Sequence, residues 1–302
     1  MRYVVTGATS FLGVEICKYL LNAHNEVYAV CRNGSNKTQN LPQDSLLHVV
    51  FADMCDYGHL DKIISRADVF INLAWEGTGH SGRNLTDIQK DNIKNTSMAM
   101  HTASNMGCTL FVESGSQAEY GTTFDKISEN TPCNPFSEYG KAKLEVMKNG
   151  YAFAKKTGMK YLHLRIFSLY GETDHLWTLI MSSLDKMKRN EPVDLSSCQQ
   201  NWNFLHVKDA AKQICKLCNY AIGNADFRYE IFNIASEDTR QLQAFVCQIK
   251  ELTHSSSQLN FGVYKPEKIV SLDPDVSKVK AAIGFIADHQ FENDIISIFN
   301  LI

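Results

Sequence analysis

Thr6-Gly7-Ala8-Thr9-Ser10-Phe11-Leu12-Gly13 decides the fold. The stretch follows an apolar run, Tyr3–Thr6, and opens a helical pattern over Phe11–Ala23. Gly7 allows a tight turn, and Gly13 lets helix and strand approach closely. A helix starting there aims its free N–H groups and positive dipole end at the space above the turn. That setting suits a pyrophosphate, so Gly7, Thr9, Ser10, Phe11, Leu12 and Gly13 are candidate cofactor contacts.

Outward from the turn, apolar runs at Glu26–Cys31, His48–Ala52, Val69–Ala74, Leu110–Ser114 and Tyr161–Phe167 alternate with helical patterns. The helices are expected at Tyr57–Ser65, Asn84–Met106 and Ser137–Lys156. Continuous apolarity in the strands implies burial on both faces, as in a parallel sheet. The expected fold is α/β, a doubly wound parallel Rossmann sheet with right-handed crossovers. After Tyr170 the regularity weakens. Helices are expected at Thr173–Asn190, Lys208–Tyr220, Gln241–Thr253, Val276–Ile283 and Phe291–Phe299, with extended pieces at Trp202–Leu205 and Tyr229–Ile234. This places a dinucleotide-binding domain at 1–166, to which 204–234 returns, and a smaller C-terminal α/β substrate lobe mainly at 167–302. A ligand cleft is expected beyond the carboxyl ends of the strands.

Hydrophobic residues at 44% and charged residues at 21% predict a packed core. A net charge of -3, with no long run of one sign, gives no reason to expect nucleic acid or an anionic membrane as partner. No apolar run nears the roughly 20 residues of a membrane span. A strand at the very start leaves no room for a signal peptide, so a cytoplasmic location is expected. Nine cysteines read as small core side chains. Cys215 and Cys218 lack a second cysteine pair or a nearby histidine, so no metal is expected.

Cys31 ends the second strand, where an acid would accept from a ribose 2′-OH. Arg32 and Asn33 follow, then Lys37, and a guanidinium can grip a phosphate. NADP(H) is therefore favoured, with NAD(H) left open. Downstream, Ser137-Glu138-Tyr139-Gly140-Lys141-Ala142-Lys143 opens a helix with Tyr139 and Lys143 on one face. A free phenol with a pKa of about 10 is a poor base at neutral pH. A nearby ammonium favours the phenolate and makes proton transfer feasible.

The turn resembles the Thr-Gly-x-x-Gly-x-x-Gly signature of extended short-chain dehydrogenases/reductases, the nucleotide-sugar epimerase/dehydratase family, with Ser10 at the middle glycine position. Leu110–Gly121, Thr131–Pro135, Leu164–Gly171 and Asn203–Asp209 resemble later segments of the same family, so the likeness spans almost the whole chain. The resemblance implies catalytic roles for Ser116, Tyr139 and Lys143, and sugar contacts for Gln117 and Ser168. It implies cofactor contacts for Asp53, Met54, Leu73, Ala74 and Phe167, with Lys143 reaching the nicotinamide ribose. Asn92 would hold backbone groups. Trp202 occupies a position where many members use an arginine on the sugar-nucleotide diphosphate.

Gly115–Gly121 resembles the run of deoxysugar 4-ketoreductases. The implied activity is NADPH-dependent reduction of a nucleotide-linked 4-keto-(6-deoxy)sugar. An NAD-dependent 4-epimerase and a non-catalytic dinucleotide-binding protein are the rivals. Cofactor retention separates the first rival; the intact Ser116, Tyr139 and Lys143 set argues against the second, and full turnover in Tyr139→Phe would support a different mechanism. Members of the family often dimerise through helices like 84–106 and 137–156, so a homodimer is expected. The loop Glu76–Arg83 reads as either a substrate lid or a plain exposed loop. His24 reads as a surface turn residue, and His206 as a partner of core backbone groups.

Overall fold

The computed structural model describes residues 1–302 except His80, Pro266 and Glu267. The first half alternates strands β1 (Arg2–Thr6), β2 (Glu26–Cys31), β3 (Leu47–Phe51), β4 (Val69–Asn72), β5 (Leu110–Ser116) and β6 (Lys160–Ile166) with helices α1 (Phe11–Asn22), α2 (Thr86–Asn105) and α3 (Glu138–Thr157). α1 starts where the Ser10 hydroxyl accepts from Gly13 N, and buries Leu12, Ile16, Cys17, Leu20 and Leu21 at helical spacing. α3 is capped by Ser137 and ends at Gly158 in the left-handed conformation, φ 78°.

The second half holds β7 (Ser168–Tyr170), α4 (Leu179–Lys188), β8 (Val193–Asp194), β9 (Asn201–His206), α5 (Val207–Gly223), β10 (Tyr229–Ile234), β11 (Thr239–Gln241), α6 (Leu242–Leu252), β12 (Leu259–Asn260), α7 (Ser277–Ile283) and α8 (Phe291–Leu301). The central sheet is parallel, in the order β10-β6-β5-β4-β1-β2-β3. Every residue of β4 and β5 is buried, which explains the apolar runs Val69–Ile71 and Leu110–Val112 that open them. The smaller lobe contains a three-stranded sheet, β11-β9-β7, and the pair β12-β8. Its core joins α4, α6 and α8 around Leu184, Phe245 and Ile295. No described helix is long and apolar enough to cross a membrane.

Two expectations need correction. Met54–Lys62 forms a 3-10 helix, not an α-helix over Tyr57–Ser65, because Gly58 and the flanking aspartates Asp56 and Asp61 favour α-helix poorly. Helix α4 begins at Leu179 instead of Thr173. Before it, the Asp174 carboxylate accepts from His175 N at 2.7 Å, and Thr178 Oγ1 donates to His175 O at 2.9 Å. Those local bonds hold a turn against the helix.

Candidate active site

A groove of about 410 Å³ opens above the carboxyl ends of β1, β2 and β3. Gly7, Thr9 and Ser10 form one side, Leu73 and Ala74 another, and Arg32, Asn33, Asp53 and Met54 the outer wall. Gly7 has φ 64°, and a Cβ there would lie 3.0 Å from Ala74 N. A Cβ on Gly13 would sit 2.3 Å from Gly7 O. Backbone is thus as close as glycine allows, which leaves the helix end open to phosphate oxygens and fits a dinucleotide. Gly13 serves this packing from within and does not line the groove. Asp53 accepts from Asn33 N at 3.2 Å and from Asn33 Nδ2 at 3.0 Å. Its carboxylate thereby pins the loop after β2.

The groove meets a second cleft, of about 420 Å³, at Ser10, Leu73 and Trp75. Here the structure brings together Phe11, Leu12, Ser116, Gln117, Tyr139, Lys143, Phe167 and Ser168. These came from four separate stretches of sequence. Ser116 ends β5, and Tyr139 and Lys143 stand on the first turns of α3. Gly140 seats that helix, since a Cβ there would meet Ala118 O at 2.5 Å.

Beneath the cleft runs a buried polar chain. Thr6 Oγ1 donates to Asn72 Oδ1 at 2.7 Å, and Asn72 Nδ2 donates to Glu113 Oε2 at 2.8 Å. Lys143 Nζ lies 3.4 Å from Glu113 Oε1 and donates to Ser114 O at 2.5 Å. Thr6, Asn72, Glu113 and Lys143 are each at most 2% exposed, and Ser114 is 8% exposed. A parallel cluster holds Ser116: its N–H donates to Glu119 Oε1 at 2.8 Å. His163 Nε2 lies 2.8 Å from the same oxygen, and Arg165 Nε donates to Glu119 Oε2 at 2.9 Å. Gly115 makes room for this cluster, because a Cβ would meet His163 Nε2 at 2.3 Å.

The electrostatics of Tyr139 differ from the simple pairing expected from spacing. Burial raises its phenol above the usual 10, while the Ser116 hydroxyl and the Arg83 charge pull it down. Burial lowers the Lys143 ammonium to about 8, against the pull of Glu113. Lys143 Nζ sits 6.0 Å from the Tyr139 ring centre and only 3.4 Å from that of Trp75. The cation lying on the Tyr139 ring is Arg83, at 4.4 Å. Burial also works to raise Glu119, but His163, Arg165 and the Ser116 N–H outweigh it and hold the carboxyl at about 2.

Trp202 does not line the cleft. Its indole packs between the two lobes' apolar clusters, and it pairs across the strands with Arg240. That cation is itself held by Asp238 and Glu292. This apolar seat suits an aromatic ring. Asn92 brackets Glu76, accepting from its N at 3.0 Å and donating to its O at 2.8 Å. His206 caps α5 through Lys208 N, Cys215 and Cys218 are buried on α5, and His24 has φ 55° at a turn.

Trp75, Arg83, Glu113 and Glu119 were not marked by sequence patterns as site residues. Trp75 directly follows Asn72-Leu73-Ala74, and Arg83 is the cation of the loop Glu76–Arg83. His80 of that loop lies outside the described residues. Charged residues inside an apolar strand, as in Leu110-Phe111-Val112-Glu113, are the one signal that could have exposed Glu113.

The family model described as the NAD dependent epimerase/dehydratase family matches residues 3–235. A dTDP-6-deoxy-L-talose 4-dehydrogenase (NAD(+)) of Aggregatibacter actinomycetemcomitans is 27% identical over 220 residues, covering 71% of this chain and 78% of that protein. A CDP-abequose synthase of Yersinia pseudotuberculosis is 21% identical over 273 residues, covering 90% and 92%. The solved UDP-N-acetylglucosamine 4-epimerase from Methanobrevibacter ruminantium superposes with a TM-score of 0.88 at 21% identity, covering 99% of this chain and 97% of that one. With a glycine turn built for phosphates and Ser116, Tyr139 and Lys143 beside it, the chain belongs to the NAD dependent epimerase/dehydratase family, enzymes of the extended short-chain dehydrogenase/reductase type that depend on NAD(P).

Proposed function

We propose that the protein reduces a nucleotide-linked 4-keto-(6-deoxy)sugar to the 4-hydroxy sugar with NADPH. The observation that carries the reading is the meeting of Ser116, Tyr139 and Lys143 with Phe11 and Leu12 in one cleft continuous with the phosphate turn. The bound dinucleotide supplies the hydride to the carbonyl carbon. Tyr139 gives its proton to the oxygen that gains charge, and Ser116 donates a hydrogen bond to the same oxygen. A phenol that burial keeps protonated is suited to giving a proton, which is the direction of reduction. Lys143 holds the ribose, and its charge with that of Arg83 relieves the phenolate left behind.

Cys31 at the end of β2, with Arg32 and Lys37 exposed on the groove wall, supports NADPH. Relatives named for dTDP-6-deoxy-L-talose and CDP-abequose support the substrate class. One observation favours a second reading, an NAD-dependent 4-epimerase: the Asp53 carboxylate stands in the groove beside Asn33, where a ribose hydroxyl could donate to it.

The test is absorbance at 340 nm with NADPH and a panel of nucleotide-linked 4-keto-6-deoxysugars. Stoichiometric NADPH oxidation is expected, lost in Tyr139→Phe. Tight retention of NAD with sugar interconversion and no net NADPH oxidation would establish the epimerase instead.

A further inference from the structure

We propose that Trp75 is a cofactor-site residue that covers Lys143 in the free protein and yields that place to the nicotinamide ribose. The inference rests on the dinucleotide reading above and adds a residue to its site.

Four groups surround the Lys143 ammonium: Ser114 O at 2.5 Å, Ser114 Oγ at 3.4 Å, Glu113 Oε1 at 3.4 Å, and the face of the Trp75 ring at 3.4 Å. Lys143 reaches the cleft lining but is only 2% exposed, so one of these groups gives way as a ribose hydroxyl takes up the ammonium. Ser114 O is strand backbone, and turning the Ser114 hydroxyl aside would still leave the indole over the ammonium. Glu113 is fully buried and tied to Asn72. The indole is the wall able to move. It is only half-buried, and a single described hydrogen bond holds it, Nε1 to Gln89 Oε1 at 2.9 Å.

Trp75 also stands on the required path. With Ser10 and Leu73 it lines both the groove of Arg32 and the cleft of Tyr139. A dinucleotide reaching from one to the other passes the indole. Trp75 meets the Tyr139 ring edge-on, with centroids 5.9 Å apart, so moving it also frees one side of the phenol. The motion is coupled to the loop beyond. Gln89 Nε2 holds both Gly77 O, at 3.3 Å, and Gly82 O, at 3.1 Å, closing the neck of the loop that carries Arg83.

A desolvated indole–ammonium contact shifts an equilibrium by roughly tenfold or more. Binding must replace that contact, so the cover weakens cofactor affinity by the same factor. Such weakening suits an enzyme that exchanges spent cofactor each turnover better than one that retains it.

The test is calorimetric titration of NADP⁺ into the wild type, Trp75→Phe and Trp75→Ala, with tryptophan emission followed in parallel. Trp75→Ala is expected to bind about tenfold tighter, with Trp75→Phe between. A gain in affinity cannot arise from misfolding. NADP⁺ should change the wild-type emission, 2′,5′-ADP should leave it unchanged, and Trp75→Phe should lose the NADP⁺ response. Equal or weaker binding by Trp75→Ala, or the same emission response in wild type and Trp75→Phe, overturns the proposal. If neither NADP⁺ nor NAD⁺ binds any form, the dinucleotide reading falls with it. If Trp75→Ala binds tighter but no sugar is reduced, the cover stands and the reductase falls.

Discussion

Arg32 and Lys37 stand in water at the wall of the groove, whereas Lys143, Glu113, Glu119, His163 and Arg165 are buried and paired beneath the cleft. Exposed cations cost the fold little and can meet a charged ligand on arrival. Buried charges are tolerated only with partners in good geometry, and removing one partner leaves the other stranded. The groove therefore accommodates change locally, while the cleft is a single interlocked unit whose parts also hold up the fold.

The largest effect should come from the phenol proposed as the cleft's proton donor. Tyr139→Phe keeps ring, volume and the Arg83 contact but removes the proton. Turnover should fall by about 10²–10⁴-fold with the melting temperature little changed. Full turnover in that variant would show that the cleft does not work through its phenol.

Next comes the support of Ser116. Glu119→Gln strands Arg165 and should cost about 3–5 kcal/mol in urea unfolding. The pH sign follows from a carboxyl held at about 2 against 4.5 unfolded. Its stabilisation is complete above about 4.5 and is lost as pH falls toward 2, so the variant should show a flatter acid limb. An unchanged acid limb would break the contrast between the two regions.

The groove should respond more gently. Arg32→Gln should weaken NADP⁺ binding by about tenfold, leave NAD⁺ binding unaltered, and leave stability intact. A stability loss matching that of Glu119→Gln would erase the distinction.

An effect visible only at alkaline pH concerns Lys143. Its ammonium is lowered to about 8 against 10.5 unfolded. Between those values the unfolded chain binds the extra proton, so wild-type stability should rise with pH relative to Lys143→Met, by about 3 kcal/mol across the window. A falling difference would place the lysine in a wetter setting than the structure gives it.

The groove was readable because it is made locally. A strand, a glycine turn and a helix start lie within Tyr3–Gly13, and backbone conformation follows from glycine chemistry at Gly7 and Gly13. The strands were readable from their apolar runs, and β10 in particular from Tyr229–Ile234. The triad Ser116, Tyr139 and Lys143 was legible through motif likeness, but its electrostatics were not. Tyr139 and Lys143 share a helix face by spacing. Which cation lies on the phenol depends on where a loop 56 residues upstream of Tyr139 (139 minus 83) places Arg83. Trp75, Glu113 and Glu119 acquire meaning only from neighbours on other strands and helices, and no local pattern encodes those. Trp202 is similar: its packing between the two apolar clusters follows from neighbours distant in sequence, and position within a motif did not show it.

The most direct test of the central claim is to run the reaction with NADPH deuterated on the transferred face and weigh the sugar product. The account predicts one deuterium on carbon 4 of the product for each NADP⁺ formed. Sugar conversion with no deuterium gained and no NADP⁺ released would contradict it.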